Sequence, residues 1–281
     1  VNAADMRSKG WELAVTWSDK IGKDIRYNIG LNLYDSRSKI TKYSNDDNLL
    51  TYTDASDNNI EKMYYREGME FGEIWGYTTD RFYTENDFVD GKLKDDIPVF
   101  LGQNRDNVKP GDILYKDFDG DGKISNGDNS ENNPGDLRKI GNSTPRFQYG
   151  INAGISYKDF DLSLFFTGVG KRDLWISDLW APNGQFVTSV FDYQTDYWQE
   201  DNLNAYYPRV YGEGGNNGYN NKRQTKYLKD GSYVRLKNLT VGYNLPAGLC
   251  NKLYIQKLRV FFSGENLFTW HHLPEGYYPD S

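Results

Sequence analysis

The chain has a single cysteine in 281 residues, Cys250, so an internal disulfide framework is excluded. Its only histidines, His271 and His272, are adjacent. Neighbouring residues in a strand point to opposite faces, so the two make a poor shared metal site. No run of about 18 apolar residues occurs. The mean hydropathy of −0.80 excludes helical membrane spans. It does not exclude a membrane barrel, because strand alternation halves the signal and polar loops dilute it. Basic residues are the minority, 33 against 40 acidic, and the net charge of −7 speaks against nucleic acid as a partner. Among so many carboxylates some pair will always meet the spacing of a glycoside hydrolase, so such a pair signals nothing. No Ser, His or Lys constellation accompanies them, and the chain is read as not an enzyme.

What is present is aromatic and alternating. Tyr, Trp and Phe make up 16% of the residues, which suits interfacial girdles or a ligand-binding surface. From Arg146 to Val169, Phe147, Tyr149, Ile151, Ala153, Ile155 and Tyr157 alternate with polar or tiny residues. After a tight turn at Lys158-Asp159, Phe160, Leu162, Leu164 and Phe166 do the same. Phe165 and Val169 break the polar side. The pattern recurs at Trp11 to Trp17, Ile25 to Leu33, Leu239 to Leu245, and Leu258 to Phe262, where Phe261 is again an exception. Trp11 and Trp17 lie about 20 Å apart along a strand, a spacing that suits girdle positions.

The reading is therefore all-β, with about six strands in pairs spanning residues 10–35, 146–169 and 233–268. Within each pair the connection is short; between pairs it is very long, over 36–145 and 170–232. Compact soluble domains rarely hold loops of that size. Outer-membrane barrels combine short periplasmic turns with long extracellular loops, and ten-residue strands reach across a bilayer at a tilt. A soluble sandwich with one solvated face is the competing architecture. Its polar face would be rich in Lys, Glu and Thr, whereas here Gly, Asn and Ser dominate. Residues 1–281 are thus expected to be part of a large antiparallel transmembrane barrel with long extracellular loops. Six strands cannot close one, so the chain is expected to be a piece of a longer polypeptide.

Residues 117–128 carry the spacing of an EF-hand-type calcium loop: Asp117, Asp119 and Asp121 at positions 1, 3 and 5, Gly122 at the sharp turn, and the Lys123 carbonyl at 7. Ser125 stands at position 9 and Asp128 at 12. Calcium favours six to eight oxygen ligands, and a structural calcium that rigidifies a long loop is the expected role. An acidic, Gly-rich turn whose Asp side chains cap their own backbone has the same composition. The long connections also hold Trp75, Tyr77, Trp175, Trp180 and Trp198, candidates to stack on substrate, against the alternative that they form a local loop core.

Several segments resemble SusC/RagA-type TonB-dependent outer-membrane transporters, in order along nearly the whole chain. Gly10-Trp11-Glu12 resembles the family's "G-W-E" strand opening, and Glu67-Gly68 with Trp75-Gly76-Tyr77 its "EG…GY" segment. Gly111 to Gly122 resembles its "GD-x-x-Y-x-D-x-[ND]-G-D-G" stretch, and Ile140 to Gly150 its "IGN-x-x-P-x-F-x-YG". Ser232 to Pro246 is similar to "S-[FY]-[VL]-RLKN-x-x-x-GY-x-LP", and Asn266-Leu267-Phe268 with Gly276-Tyr277 to the ending "N-L-F…GY". The resemblance implies a barrel of roughly 22 strands, plugged by an N-terminal domain absent from this chain. It further implies a SusD-like surface lipoprotein, energy from TonB through that absent N-terminal region, contact with outer-membrane lipid, and import of an oligosaccharide or peptide. A secreted, calcium-stabilised carbohydrate-binding module is the alternative; it explains the aromatics and the Asp loop, but the strand lengths and loop asymmetry less well.

Overall fold

The computed structural model describes residues 4–44, 48–54, 60–176, 192–211 and 217–279. Six long strands form one sheet: β1 (Ala4–Ile21), β2 (Ile25–Tyr43), β3 (Arg146–Tyr157), β4 (Phe160–Lys171), β5 (Tyr233–Asn244) and β6 (Arg259–His271). They lie side by side in chain order, so the sheet is an antiparallel meander with β1 and β6 as its two edges. They have 12 to 19 residues, longer than the alternation marks. The turns after β1 and β3 and the connection holding the short helix Ala247–Lys252 lie at one end of the strands. Both very long connections leave from the other. No helix among the described residues is long and apolar enough to cross a membrane.

Register sorts the side chains by chemistry. Leu31, Ile151 and Phe166 stand in one cross-strand row; Ile29, Ala153, Leu164 and Leu239 form the next, and Tyr27, Ile155, Leu162, Val241 and Phe262 another. One face is apolar across five strands. Ile29, Ile155, Val241 and Phe262 remain 43–68% exposed on it. A contiguous exposed apolar surface of this extent is uncommon on a monomeric soluble protein. On the other face Asn28, Gly154 and Ser163 form one row and Gly30, Asn152, Phe165 and Asn238 the next.

Packing accounts for the exceptions in the alternation. The Phe165 ring lies over Gly150, where a Cβ would come within 3.2 Å of it, so an aromatic covers the surface a side chain would otherwise fill. Val169 is buried opposite Gln148 and Tyr233. In β5 the apolar positions switch from even numbers (Val234, Leu236) to odd (Leu239, Val241, Tyr243). Lys237 is an extra residue of β5 against β4, whereas against β6 the extra residue lies on β6, between Glu265 and Phe268; the β5 bulge keeps all five on one face. Asp161 and Arg259 pair at 2.6 Å across the intervening β5, where Gly242 leaves room for them. Asp35 of β2 and Arg146 of β3 form a two-pronged ion pair.

The described residues of 38–143 and 173–229, with 4–7, form a second compact unit. The described parts of the long connections are therefore folded, not extended loops. Short two-stranded ladders organise the unit, among them Glu73–Gly76 with Arg138–Asn142, Thr79–Phe82 with Ile113–Tyr115, and Asp173–Trp175 with Leu228–Asp230. Its core gathers Tyr83, Leu93, Val99, Val108 and Leu114. A buried polar network ties the first connection to the second. Asn220 donates to Asp112 at 2.7 Å and accepts from the Ile113 N–H at 2.8 Å, and Gln224 donates to the Tyr115 hydroxyl at 2.9 Å. Unpaired buried polar groups are costly, so such a network fixes the pairing of segments more than a hundred residues apart.

Candidate functional site

Three places in this second unit were marked by sequence or carry unusual chemistry: the acidic loop, the loop aromatics, and a pair of lysines.

In the acidic loop the chain hydrogen-bonds to its own carboxylates. Asp117 accepts from the Gly120 and Gly122 N–H groups at 2.7 and 2.9 Å, Asp119 from Asp121 N–H at 3.2 Å, and Asp121 from Lys123 N–H at 2.7 Å. Gly120 and Gly122 both adopt positive φ, which side-chain-bearing residues rarely do. Ile124 is 1% exposed and anchors the loop to Phe100 through a two-residue parallel ladder. Carboxylate oxygens of Asp117, Asp119 and Asp136 all lie within 4.8 Å of one another. Asp121 and Asp128 are outside that group of carboxylates. Asp128 instead accepts from Ser130. Asp136 is fully buried and accepts from the Phe118 and Ser125 N–H groups at 2.7 and 2.8 Å. Burial raises its pKa; those two hydrogen bonds oppose the shift, and the Asp119 and Asp117 charges reinforce it. Three convergent carboxylates match the donor chemistry of a hard divalent cation. The 12-residue template could not point to Asp136, which enters only because residues 126–135 double back and return it beside Asp117.

The loop aromatics take different places. Tyr77 is 8% exposed and packs edge-on against Phe100 and Tyr115. Trp198 is 5% exposed, held between Gly111, where a Cβ would reach within 2.3 Å of its ring, and the Arg209 guanidinium 4.2 Å from the ring centre. Isolated bridges pair Tyr197 with Tyr207 and Gln199 with Asn202 on either side of it. Trp75 is half-buried; its indole N–H donates to Glu73 at 2.9 Å and the Arg66 guanidinium lies against its ring. Arg66 is 1% exposed and pairs with Glu73 and Glu131 at 3.0 Å. Burial alone would raise the Glu73 pKa, but hydrogen bonds from Trp75, the Glu70 N–H and Lys139 outweigh it and hold the carboxyl below its usual value. Trp175 is half-buried in Asp173–Trp175. Trp180 lies outside the described residues.

The lysines carry no motif. Lys226 Nζ stands 4.7 Å from the Phe82 ring centre, 5.4 Å from Tyr206 and 5.8 Å from Tyr227. Lys229 Nζ stands 4.6 Å from the same Tyr206 ring and donates to its hydroxyl. Burial depresses the Lys226 pKa and Lys229 adds to the depression, with Asp196 opposing.

No family model matches the chain. It is 31% identical over 278 residues to TonB-dependent receptor P3 of Formosa agariphila, covering 97% of this chain and 25% of that protein. TonB-dependent receptor P26 of the same organism is 23% identical over 96% of the chain. Among solved structures, that of the RagAB peptide transporter aligns with 99% of this chain and 27% of its own, with a TM-score of 0.62 and 18% identity. The RagAB peptide importer in the closed-closed state aligns over the same shares, also at 0.62. The chain spans about a quarter of the length of these relatives. All are named as receptors or transporters, not enzymes.

Proposed function

We propose that this chain, a segment of a SusC/RagA-type TonB-dependent receptor, supplies wall and outer loops to an outer-membrane nutrient importer. The observation that carries the reading is the apolar face, continuous over five strands and left exposed by the chain itself. Hydrocarbon is the surrounding that such a face satisfies. Strands of 12 or more residues exceed the 9–11 that a tilted membrane strand needs. The two free edges are where further strands of the longer protein would pair to close a barrel. On this reading the Gly-, Asn- and Ser-rich face meets the lumen and its plug, and the folded connections face the outside. There they would contact cargo and a SusD-like lipoprotein, while TonB acts through the N-terminal region. The cargo is an oligosaccharide or a peptide; the RagAB neighbours are named for peptide. Calcium, held by Asp117, Asp119 and Asp136, would pin the acidic loop and thereby the outer unit. It would take no part in chemistry.

The test is fractionation of the native protein that contains this sequence. A polypeptide several times this length, extracted from outer membranes only by detergent and co-purifying with a lipoprotein, supports the importer. A species of this length that is monodisperse and folded in plain buffer overturns it and favours the calcium-stabilised secreted module.

A further inference from the structure

Two ammonium groups share the Tyr206 ring. Neither lies within ion-pair distance of a carboxylate among the described residues, in a chain where acidic residues outnumber basic ones. The Asp196 charge acts on Lys226 without an ion pair; its oxygens accept from the Asn202 amide at 3.0 Å and the Tyr206 N–H at 3.1 Å, and it offsets one of the two ammonium charges. Lysines on a folded surface normally spread apart or pair with carboxylates. Two held together beside aromatic rings, half-buried, with neither in an ion pair and the single Asp196 charge set against both, form a locus of net positive potential in partly desolvated surroundings, where an anion is bound more strongly than in open water. Tyr206 remains 36% exposed, so the locus is open to solvent.

We infer that Lys226 and Lys229, with the Tyr206 hydroxyl, form a binding site for the carboxylate or sulfate group of an acidic oligosaccharide. The inference rests on the importer reading and gives its cargo a charge. The surrounding main chain favours sugar over peptide. An extended peptide is captured by free strand-edge groups, but here the N–H groups of Tyr206, Tyr207, Thr225 and Lys226 are already bonded, to Asp196, Asp196, Tyr77 and Thr79. What the site offers is side chains: two cations, a phenol and the flanking ring of Phe82.

The experiment uses the full-length receptor in detergent, presented with an array of carboxylated, sulfated and neutral oligosaccharides and with an acidic peptide series. The best acidic oligosaccharide is then titrated calorimetrically. The expected result is a preference for acidic glycans that weakens with added salt. Lys226→Gln with Lys229→Gln should cut affinity tenfold or more, as expected for loss of charge-assisted contacts, and Lys226→Arg with Lys229→Arg should largely restore it. Each variant is checked for an unchanged melting temperature, and the arginine pair separates loss of charge from loss of fold. Equal acidic-glycan affinity in the glutamine variant overturns the site. Binding of neutral glycans only, or of acidic peptides only, overturns it while leaving the importer intact. A protein that binds none of the probes and is absent from the outer membrane overturns both.

Discussion

Two rings that sequence places among candidate substrate contacts, Tyr77 and Trp198, are core residues of the second unit. For Trp198 the reason is local. Gly111 presents a backbone without a Cβ to one side of the indole, and Arg209 covers it from another direction while donating to the Pro110 carbonyl at 2.7 Å. Trp198→Ala should therefore cost about 3–5 kcal/mol, as buried Trp truncations do. Denaturant unfolding of the native protein that contains this sequence, or protease susceptibility of its second unit, would register this; a variant with native stability and only weakened ligand binding would show instead that the ring serves a ligand. Glycines separate by what surrounds them. A Cβ on Gly76 would come within 2.5 Å of the Arg223 carbonyl oxygen, which is backbone and cannot step aside. A Cβ on Gly242 would meet the flexible ends of Arg259 and Asp161. Gly76→Ala should destabilise by about 1–3 kcal/mol, and Gly242→Ala by distinctly less, ranked by melting temperature. Phe165 makes the same point for the sheet: the alternation marks it as an exception, and only the position of Gly150 explains it.

Among elements, the acidic loop carries the sharpest test. If Asp117, Asp119 and Asp136 hold calcium, a hundredfold excess over the dissociation constant should stabilise by about 2.7 kcal/mol. Asp117→Asn and Asp119→Asn should abolish the calcium-dependent rise in melting temperature, while Asp128→Asn should leave it intact, since that side chain caps Ser130. An equal loss in Asp128→Asn would restore the linear 12-residue template. The ladders of the second unit should also be acid-sensitive. Glu73 is held below its ordinary value of 4.5. Asp87, in spite of burial, is held below 3.8 by Arg81 and Thr84. A depressed carboxyl adds stability that is complete above its unfolded pKa and fades as pH falls through the folded one. Limited proteolysis should find the unit intact at pH 6 and progressively open below about pH 4.5, and Glu73→Gln should flatten that dependence. In the sheet, alternation locates β5 but not its bulge. The switch of apolar parity between Leu236 and Leu239 is visible in sequence, yet its resolution at Lys237 requires the pairing with β4.

At the scale of the whole molecule, the two faces of the sheet predict opposite tolerances. Leu164→Lys places a charge in the middle of the apolar face. If that face meets lipid, the cost should be about 2–4 kcal/mol near the midplane, seen as reduced outer-membrane levels and a lower melting temperature in detergent. Asn152→Lys, one strand away on the opposite face, should accumulate normally. Similar tolerance at both positions would argue that neither face meets lipid. The same contrast bears on the connections. As loops of 110 and 63 residues by sequence, they are long for any compact domain, yet they fold into one unit because Asn220 and Gln224 of the second bond Asp112, Ile113 and Tyr115 of the first. Asn220→Ala, which leaves the Ile113 N–H unpaired in the interior and removes one of the donors to Asp112, should loosen both connections together and not the second alone, as hydrogen exchange would report.

The sequence by itself determined the strands, their faces and the asymmetry of their connections, because a period of two and the turn residues are local properties of the chain. It also carried the family resemblance, since those motifs survive as strings. Tertiary structure alone decided which carboxylate joins Asp117 and Asp119, which rings are buried, and that Lys226 and Lys229 meet over Tyr206. Each of these depends on contacts between residues distant in the chain, and neither spacing nor composition records where a connection of such length folds back.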